Sequence, residues 1–331
     1  MPTEDAQLPV IDLSKSETHA KELGDKVVYA LENTGFLFID NVKGLDYDKL
    51  FECCKWFFGQ SDEYKHTVMR NFWNPKNKNV YRGYFPVVQK EPSRKEGFEF
   101  ARDVSETDPS VSPDNWYYEK SPWPEEDGTF PFKEFLQEMY EVMHKTGMEI
   151  LRLASLGLVI KEDSFEYMFN DKPVSTFRIM HYPPWNGSPP ENARIEDGKV
   201  LITPEHTDSN FLTLLTTFNY KGLEVINSDG IWMKIDPRPG SLIMNIGDTF
   251  SRIMKGRFKA TRHRVIDIGI DRFSVPFFMC PAFDVDVGVD FMAKARGEES
   301  NHVPEKFGCY ELRRMKYEKK YFEYKVLPDV S

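Results

Sequence analysis

Long apolar runs are missing from this 331-residue chain. No stretch approaches the roughly 18 consecutive apolar residues that a bilayer span needs. Cysteine is scarce, with only Cys53, Cys54, Cys280 and Cys309. Two are adjacent and two isolated, a spacing that fits neither a zinc knuckle nor a disulfide framework. A basic excess is missing as well: 43 Lys and Arg against 53 Asp and Glu leave a net charge of −10. Proteins that grip nucleic acid neutralise phosphates with a basic face, so this balance argues against such a partner. The start, Met1-Pro2-Thr3-Glu4-Asp5, lacks the basic region and apolar run of a signal peptide. The end, Leu327-Pro328-Asp329-Val330-Ser331, carries no lipidation or retention signal. Asn186-Gly187-Ser188 fits a glycosylation acceptor, but without a secretory signal it has no consequence. These absences lead to the expectation of a monomer in a reducing cytoplasm, with neither a nucleic-acid nor a membrane partner.

What is abundant is aromatic. Phe occurs 26 times and Tyr 15 times, and hydrophobic residues make up 40 % of the chain, enough for a substantial core. The first half reads as mixed. Short strands are expected over residues 8–13 and 36–39. A helix is expected from about Ala20, opened by the capping box Ser14-Lys15-Ser16-Glu17 and stopped at Asn33-Thr34-Gly35. Further helices are expected over residues 47–58 and 132–156, the second ending at Gly157. Residues 71–79 and 103–128 read as loops. Beyond Gly157 the period changes. Short β-type runs at 174–182, 200–203, 212–218, 223–226, 241–246, 263–266 and 273–279 alternate with turn residues, the pattern of a sandwich or barrel. Mixed helix over residues 306–324 closes the chain. The expected organisation is an N-terminal region, residues 1–160, packed on a β-rich core, residues 161–331, as one catalytic unit.

Four short segments carry chemistry. In Glu205-His206-Thr207-Asp208, residues two apart on a strand project together, so an imidazole and a carboxylate share one face. Arg262-His263-Arg264 follows, with His263 55 residues beyond Asp208, far enough for several strands to return a second imidazole to the same point. Two histidines and one carboxylate with open positions form the non-haem Fe(II) oxygenase geometry. In Arg272-Phe273-Ser274 a guanidinium and a hydroxyl share a face, a clamp for a carboxylate. The run Val275-Pro276-Phe277-Phe278 follows, and an Arg leading into it is costly unless it meets an anion. In Arg178-Ile179-Met180-His181-Tyr182, the Tyr182 hydroxyl shares a face with Met180 and Arg178 and is placed to support a bound carboxylate.

His206-x-Asp208, Gly247-Asp248, the segment from Lys259 to Val265 and Arg272-x-Ser274 together resemble the isopenicillin N synthase-like family of 2-oxoglutarate- and Fe(II)-dependent dioxygenases. Leu8-Pro9-Val10-Ile11-Asp12-Leu13, Thr34-Gly35-Phe36-Leu37-Phe38-Ile39, Phe57-Phe58 and Arg82-Gly83-Tyr84 extend the resemblance through the N-terminal half. The resemblance implies an α+β protein with a distorted double-stranded β-helix, or jelly roll, flanked by N- and C-terminal helices. It implies His206, Asp208 and His263 as Fe(II) ligands. Arg272 and Ser274 would hold the distal carboxylate of 2-oxoglutarate, assisted by Tyr182. Met180 departs from the family, in which many plant members carry Asn.

The activity so implied consumes O2 and 2-oxoglutarate and releases succinate and CO2. It oxidises an unactivated C–H bond of a small metabolite by hydroxylation, desaturation or ring closure. Two alternatives stand beside it: an isopenicillin N synthase-type oxidase that uses O2 without 2-oxoglutarate, and a non-catalytic small-molecule binder on the same fold. Substrate-lining residues are expected at Arg178, Met180 and Phe283. The surrounding loops are expected at residues 71–79, 82–85, 94–98 and 183–190, and their Arg and Lys residues point to an anionic or amino-acid-derived substrate.

Overall fold

The computed structural model describes residues 5–88, 93–105, 107–108, 116–169, 172–185, 187–189, 191–299 and 301–317. Asn186, and the closing segment beyond Tyr317 that was expected as helix, lie outside the described residues. The N-terminal half contains β1 (Val10–Asp12), α1 (Ala20–Asn33), β2 (Phe36–Asp40), α2 (Tyr47–Phe58), α3 (Asp62–His66), β3 (Gly83–Phe85), β4 (Glu96–Phe100) and α4 (Phe132–Gly157). The second half is mostly strand: β5 (Thr176–Tyr182), β6 (Ile195–Glu196), β7 (Lys199–His206), β8 (Leu212–Thr216), β9 (Leu223–Ile226), β10 (Trp232–Lys234) and β11 (Leu242–Ile246). After these come α5 (Asp248–Ile253), β12 (His263–Ile266), β13 (Arg272–Met279), α6 (Phe291–Ala295) and α7 (Phe307–Tyr317).

The strands form two curled sheets. An eight-stranded sheet has the order β1-β2-β11-β8-β13-β5-β4-β3, and a five-stranded sheet the order β10-β9-β12-β7-β6. All strand pairs are antiparallel except β1 with β2. The alternation of β13 shows how the layers arise. Phe273 packs edge-on against Phe51 and stacks on Phe58 of α2, and Phe277 meets Tyr140 of α4. Arg272, Ser274, Pro276 and Phe278 face the other way, into a cleft toward the five-stranded sheet. The large sheet thus has a helix-covered side and a site-bearing side.

The phenylalanines fill the helix-covered side. Phe57 and Phe132 stack at 5.0 Å, and Phe98 joins them. Each such ring fully removed from water contributes about 1.5–3 kcal/mol. Helices α1 and α4 cross at glycines: a Cβ on Gly24 would lie 2.5 Å from the Leu153 carbonyl oxygen, and one on Gly157 would lie 2.2 Å from that of Gly24.

Two expectations change. Ser14-Lys15-Ser16-Glu17 does not cap α1. Residues Leu13–Lys15 form a 3₁₀ turn capped by Asp12, whose Oδ1 takes the Ser14 amide at 3.0 Å, and α1 starts later, after His19. Residues 82–85 and 94–98 are not loops, since Gly83–Phe85 and Glu96–Phe100 are paired strands. All five residues of β4 are buried, including Glu96 and Glu99, so no polar-out alternation marks the strand in sequence. On α7, Arg314 Nη1 donates to Asp248 Oδ2 at 2.7 Å.

Candidate metal centre and carboxylate clamp

His206 closes β7 and His263 opens β12, and the antiparallel register sets them opposite each other. Their rings face the cleft with centroids 4.2 Å apart. Asp208 lies just past the end of β7, so its direction is not set by strand alternation. Side chains turn it inward instead. Its Oδ2 accepts from Thr213 Oγ1 at 2.6 Å and from Asn245 Nδ2 at 2.8 Å. Its Oδ1 lies 3.7 Å from Nε2 of both His206 and His263. One ligand atom from each of the three residues falls within 4.8 Å of the others, and among the described residues no other group of His, Cys, Asp and Glu does so.

The donor set fits a divalent metal in its details. His206 Nδ1 lies 2.9 Å from the Pro204 carbonyl, and His263 Nδ1 lies 3.2 Å from that of Thr261. A carbonyl fixes a proton on Nδ1 and leaves Nε2 with its lone pair toward the centre, the arrangement of metal-binding imidazoles. Burial opposes ionisation of Asp208. The adjoining His263 and His206, with the bonds from Thr213 and Asn245, outweigh it and hold the carboxyl below its usual range.

Across the cleft, Tyr182 on β5 pairs with Arg272 on β13, and Met180 pairs with Ser274. Arg272 is 3 % exposed, and its Nη2 is buried with no hydrogen-bond partner among the described residues. Burial lowers its pKa, opposed chiefly by Tyr182. A buried guanidinium nitrogen without an acceptor is costly, and an anionic ligand satisfies it. The Arg272 guanidinium lies 3.7 Å from the centre of the Tyr182 ring. The Tyr182 hydroxyl donates to Met180 Sδ at 3.5 Å, so the thioether is the acceptor the hydroxyl uses.

Arg178 and Met180 lie on the cleft wall, in phase with Tyr182 along β5. Phe283 is not among the cleft-lining residues. Its ring packs against Tyr117 and Tyr118 and covers Gly308 of α7, and its amide donates to the Tyr118 hydroxyl at 3.3 Å. Thr213 and Asn245 do not emerge from the motifs, yet they leave a trace: Asn245 is the one polar residue of the buried strand β11, and Thr213 is a buried polar residue in the mostly apolar strand β8. Arg314 and Glu311 leave none. Glu311 Oε2 accepts from Ser209 Oγ at 2.6 Å, which ties α7 to the residue after Asp208.

Two facing antiparallel sheets with two imidazoles and a carboxylate between them define a jelly-roll protein of the non-haem metal class. Residues 173–281 match the 2OG-Fe(II) oxygenase superfamily, and residues 8–126 match the family described as non-haem dioxygenase in morphine synthesis N-terminal. A 2-oxoglutarate-dependent dioxygenase of Didymella fabae is 30 % identical over 284 residues, 80 % of this chain and 81 % of that protein. Isopenicillin N synthase of Streptomyces clavuligerus is 26 % identical, with 92 % and 93 % of the two chains covered. Among solved structures, a full-length Neurospora crassa protein in complex with alpha-KG and thymine shares the fold with a TM-score of 0.74 at 21 % identity, covering 93 % of this chain and 96 % of that one. The chain belongs to the 2-oxoglutarate- and Fe(II)-dependent oxygenases. It is a non-haem iron dioxygenase that uses 2-oxoglutarate and O2. No helix among the described residues is long and apolar enough to cross a membrane.

Proposed function

We propose that His206, Asp208 and His263 hold the Fe(II), and that Arg272 and Ser274 hold the distal carboxylate of 2-oxoglutarate with Tyr182 backing the guanidinium. The observation that carries the second assignment is the buried Arg272 Nη2 without an acceptor among the described residues, directly across the strand pair from Tyr182. When bound, iron with its co-substrate supplies oxidation of an unactivated C–H bond, coupled to release of succinate and CO2. The protein's own part is positional. Thr213 and Asn245 leave one Asp208 oxygen for the metal, and backbone carbonyls orient both imidazoles. The apolar walls Phe36, Leu215, Val265 and Phe278 limit water around the reacting centre.

The substrate is a small molecule, anionic or amino-acid-derived, bordered by Arg178 and Met180. Lys95, Arg178 and Lys221 on the same cleft support this charge preference. The whole chain acts as one catalytic unit, which the sheet shared by its two halves supports, and as a cytoplasmic monomer without a nucleic-acid partner, the last of which its acidic balance supports. Calorimetric titration of the Fe(II)-loaded protein with 2-oxoglutarate, and a succinate-release screen over a metabolite panel, test the reading. Binding and succinate release that disappear in His206→Ala are expected. Succinate formed equally by that variant would sink the metal assignment.

A further inference from the structure

The carboxylate clamp occupies one square of the strand pair β5–β13. On β13, Arg272 and Ser274 carry the donors. On β5, Tyr182 stands opposite Arg272 and Met180 opposite Ser274. All four residues line the cleft. The two on β5 are nearly withdrawn from solvent, Met180 at 4 % and Tyr182 at 6 % exposure. Ile202 of the five-stranded sheet packs on both of them, with Phe85 beside the group. In these apolar surroundings the Tyr182 hydroxyl needs an acceptor, because a buried polar group without one is costly.

Met180 supplies that acceptor: the hydroxyl donates to its Sδ at 3.5 Å. A thioether accepts and never donates, so the direction of this bond is fixed, and the one hydroxyl hydrogen goes to sulfur. The tyrosine ring is thereby tied at its hydroxyl end. Its face lies against Arg272, whose guanidinium is 3.7 Å from the ring centre. A chain of contacts thus runs from Met180 Sδ through the Tyr182 hydroxyl and ring to the guanidinium. It ends at Arg272 Nη2, the buried nitrogen without a hydrogen-bond partner among the described residues. The stacked ring restrains the guanidinium plane, and with it the direction of Nη2, before any ligand arrives.

We propose that Met180 is a positioning residue for the co-substrate: by accepting the Tyr182 hydroxyl, it fixes the ring on which Arg272 rests. The distal carboxylate of 2-oxoglutarate then takes its donors from Arg272 and Ser274, and Tyr182 serves it with a ring face rather than with its hydroxyl. This deepens the functional reading above and rests on its placement of 2-oxoglutarate at Arg272.

The test is a double-variant cycle on the Fe(II)-loaded protein under nitrogen, read by calorimetric titration with 2-oxoglutarate. Met180→Leu keeps the volume, removes the acceptor and weakens binding fivefold or more. Tyr182→Phe removes the hydroxyl and weakens binding equally, within twofold. The double variant is no weaker than either single one. Met180→Gln returns an acceptor of similar reach and stays within twofold of the wild type, a rescue that a packing role alone would not give. Iron content and thermal unfolding midpoints stay constant across the set. Unchanged affinity in Met180→Leu overturns the proposal. So does a Met180→Leu loss that persists in the Tyr182→Phe background, or a Met180→Gln variant as weak as Met180→Leu. Arg272→Met isolates the reading beneath: wild-type affinity there overturns the placement of 2-oxoglutarate and the proposal with it, whereas weakened binding there leaves the Met180 cycle to decide.

Discussion

Arg314 of the last helix donates to the Asp248 carboxylate at 2.7 Å, and the Asp248 amide donates in turn to the Asp208 carbonyl, also at 2.7 Å. The C-terminal helix therefore holds the backbone of Asp208, the proposed metal ligand, through one intermediary. Arg314→Met should lower Fe(II) affinity by about tenfold, the lower end of what loss of supporting contacts costs at a metal site. Iron titration of the apoprotein reads this, with thermal unfolding as the control for global damage.

Thr213 and Asn245 act closer in. Each gives Asp208 Oδ2 a hydrogen bond and so leaves Oδ1 toward the histidines. Thr213→Val and Asn245→Leu should each lower Fe(II) affinity by about 10–100-fold. Bound iron per protomer after dialysis, measured at graded iron concentrations, checks it.

Arg272→Met should weaken 2-oxoglutarate binding by about 2–5 kcal/mol, at least about thirtyfold. Iron content should be unchanged, because the proposed ligands lie at the end of β7, just beyond it and at the start of β12, not on β13. Calorimetry with 2-oxoglutarate, beside a metal assay on the same sample, separates the two effects.

His181 sits on the helix-covered side of β5, between Glu96 (Nδ1 to Oε1, 2.7 Å) and Asp271 (Nε2 to Oδ1, 2.8 Å). Burial disfavours its charge, but the two carboxylates outweigh burial and raise its pKa. A raised histidine pKa stabilises the fold fully below the unfolded value of about 6.5, and that stability is lost as pH climbs through the folded value. Denaturant midpoints should therefore fall with rising pH across that window. His181→Phe should flatten this dependence and cost about 1–3 kcal/mol at acid pH, since it strips a partner from buried Glu96. An unchanged pH slope in the variant would refute the assignment.

Gly35 has φ +68°, and a Cβ there would lie 2.0 Å from the Lys259 carbonyl oxygen, on the segment leading into His263. Gly35→Ala should cost about 2–5 kcal/mol by combining left-handed strain with overpacking. Chemical denaturation measures the loss.

Much of this was legible in the sequence, for physical reasons. α2 spans Tyr47–Phe58 as its periodicity indicates, and α4 runs to Gly157. The motif His206-x-Asp208 with His263 and Arg272-x-Ser274 comes together around one cleft. The illegible parts have separate causes. β4 carries charge inward, where Glu96 and Glu99 meet Lys65, Arg70, Arg178 and His181, and a strand buried on both faces with paired charges looks like a polar loop. Arg314 and Glu311 act on residues 66 and 102 positions away, a relation only the fold creates. Chain order places Phe283 near the cleft, but its ring packs beside Tyr117 and Tyr118.

The alternation of β13 also constrains how this enzyme can change. Even-numbered residues from Arg272 to Phe278 face the cleft, while Phe273, Val275 and Phe277 belong to the core. A one-residue insertion or deletion within the strand would exchange the two sets, burying a guanidinium among phenylalanines and emptying the clamp together. Stability and co-substrate binding share one reading frame here. New substrate preferences on this scaffold are therefore reached by point replacement at cleft-facing positions such as Arg178 and Met180, or by change in the loops, and never by sliding a strand.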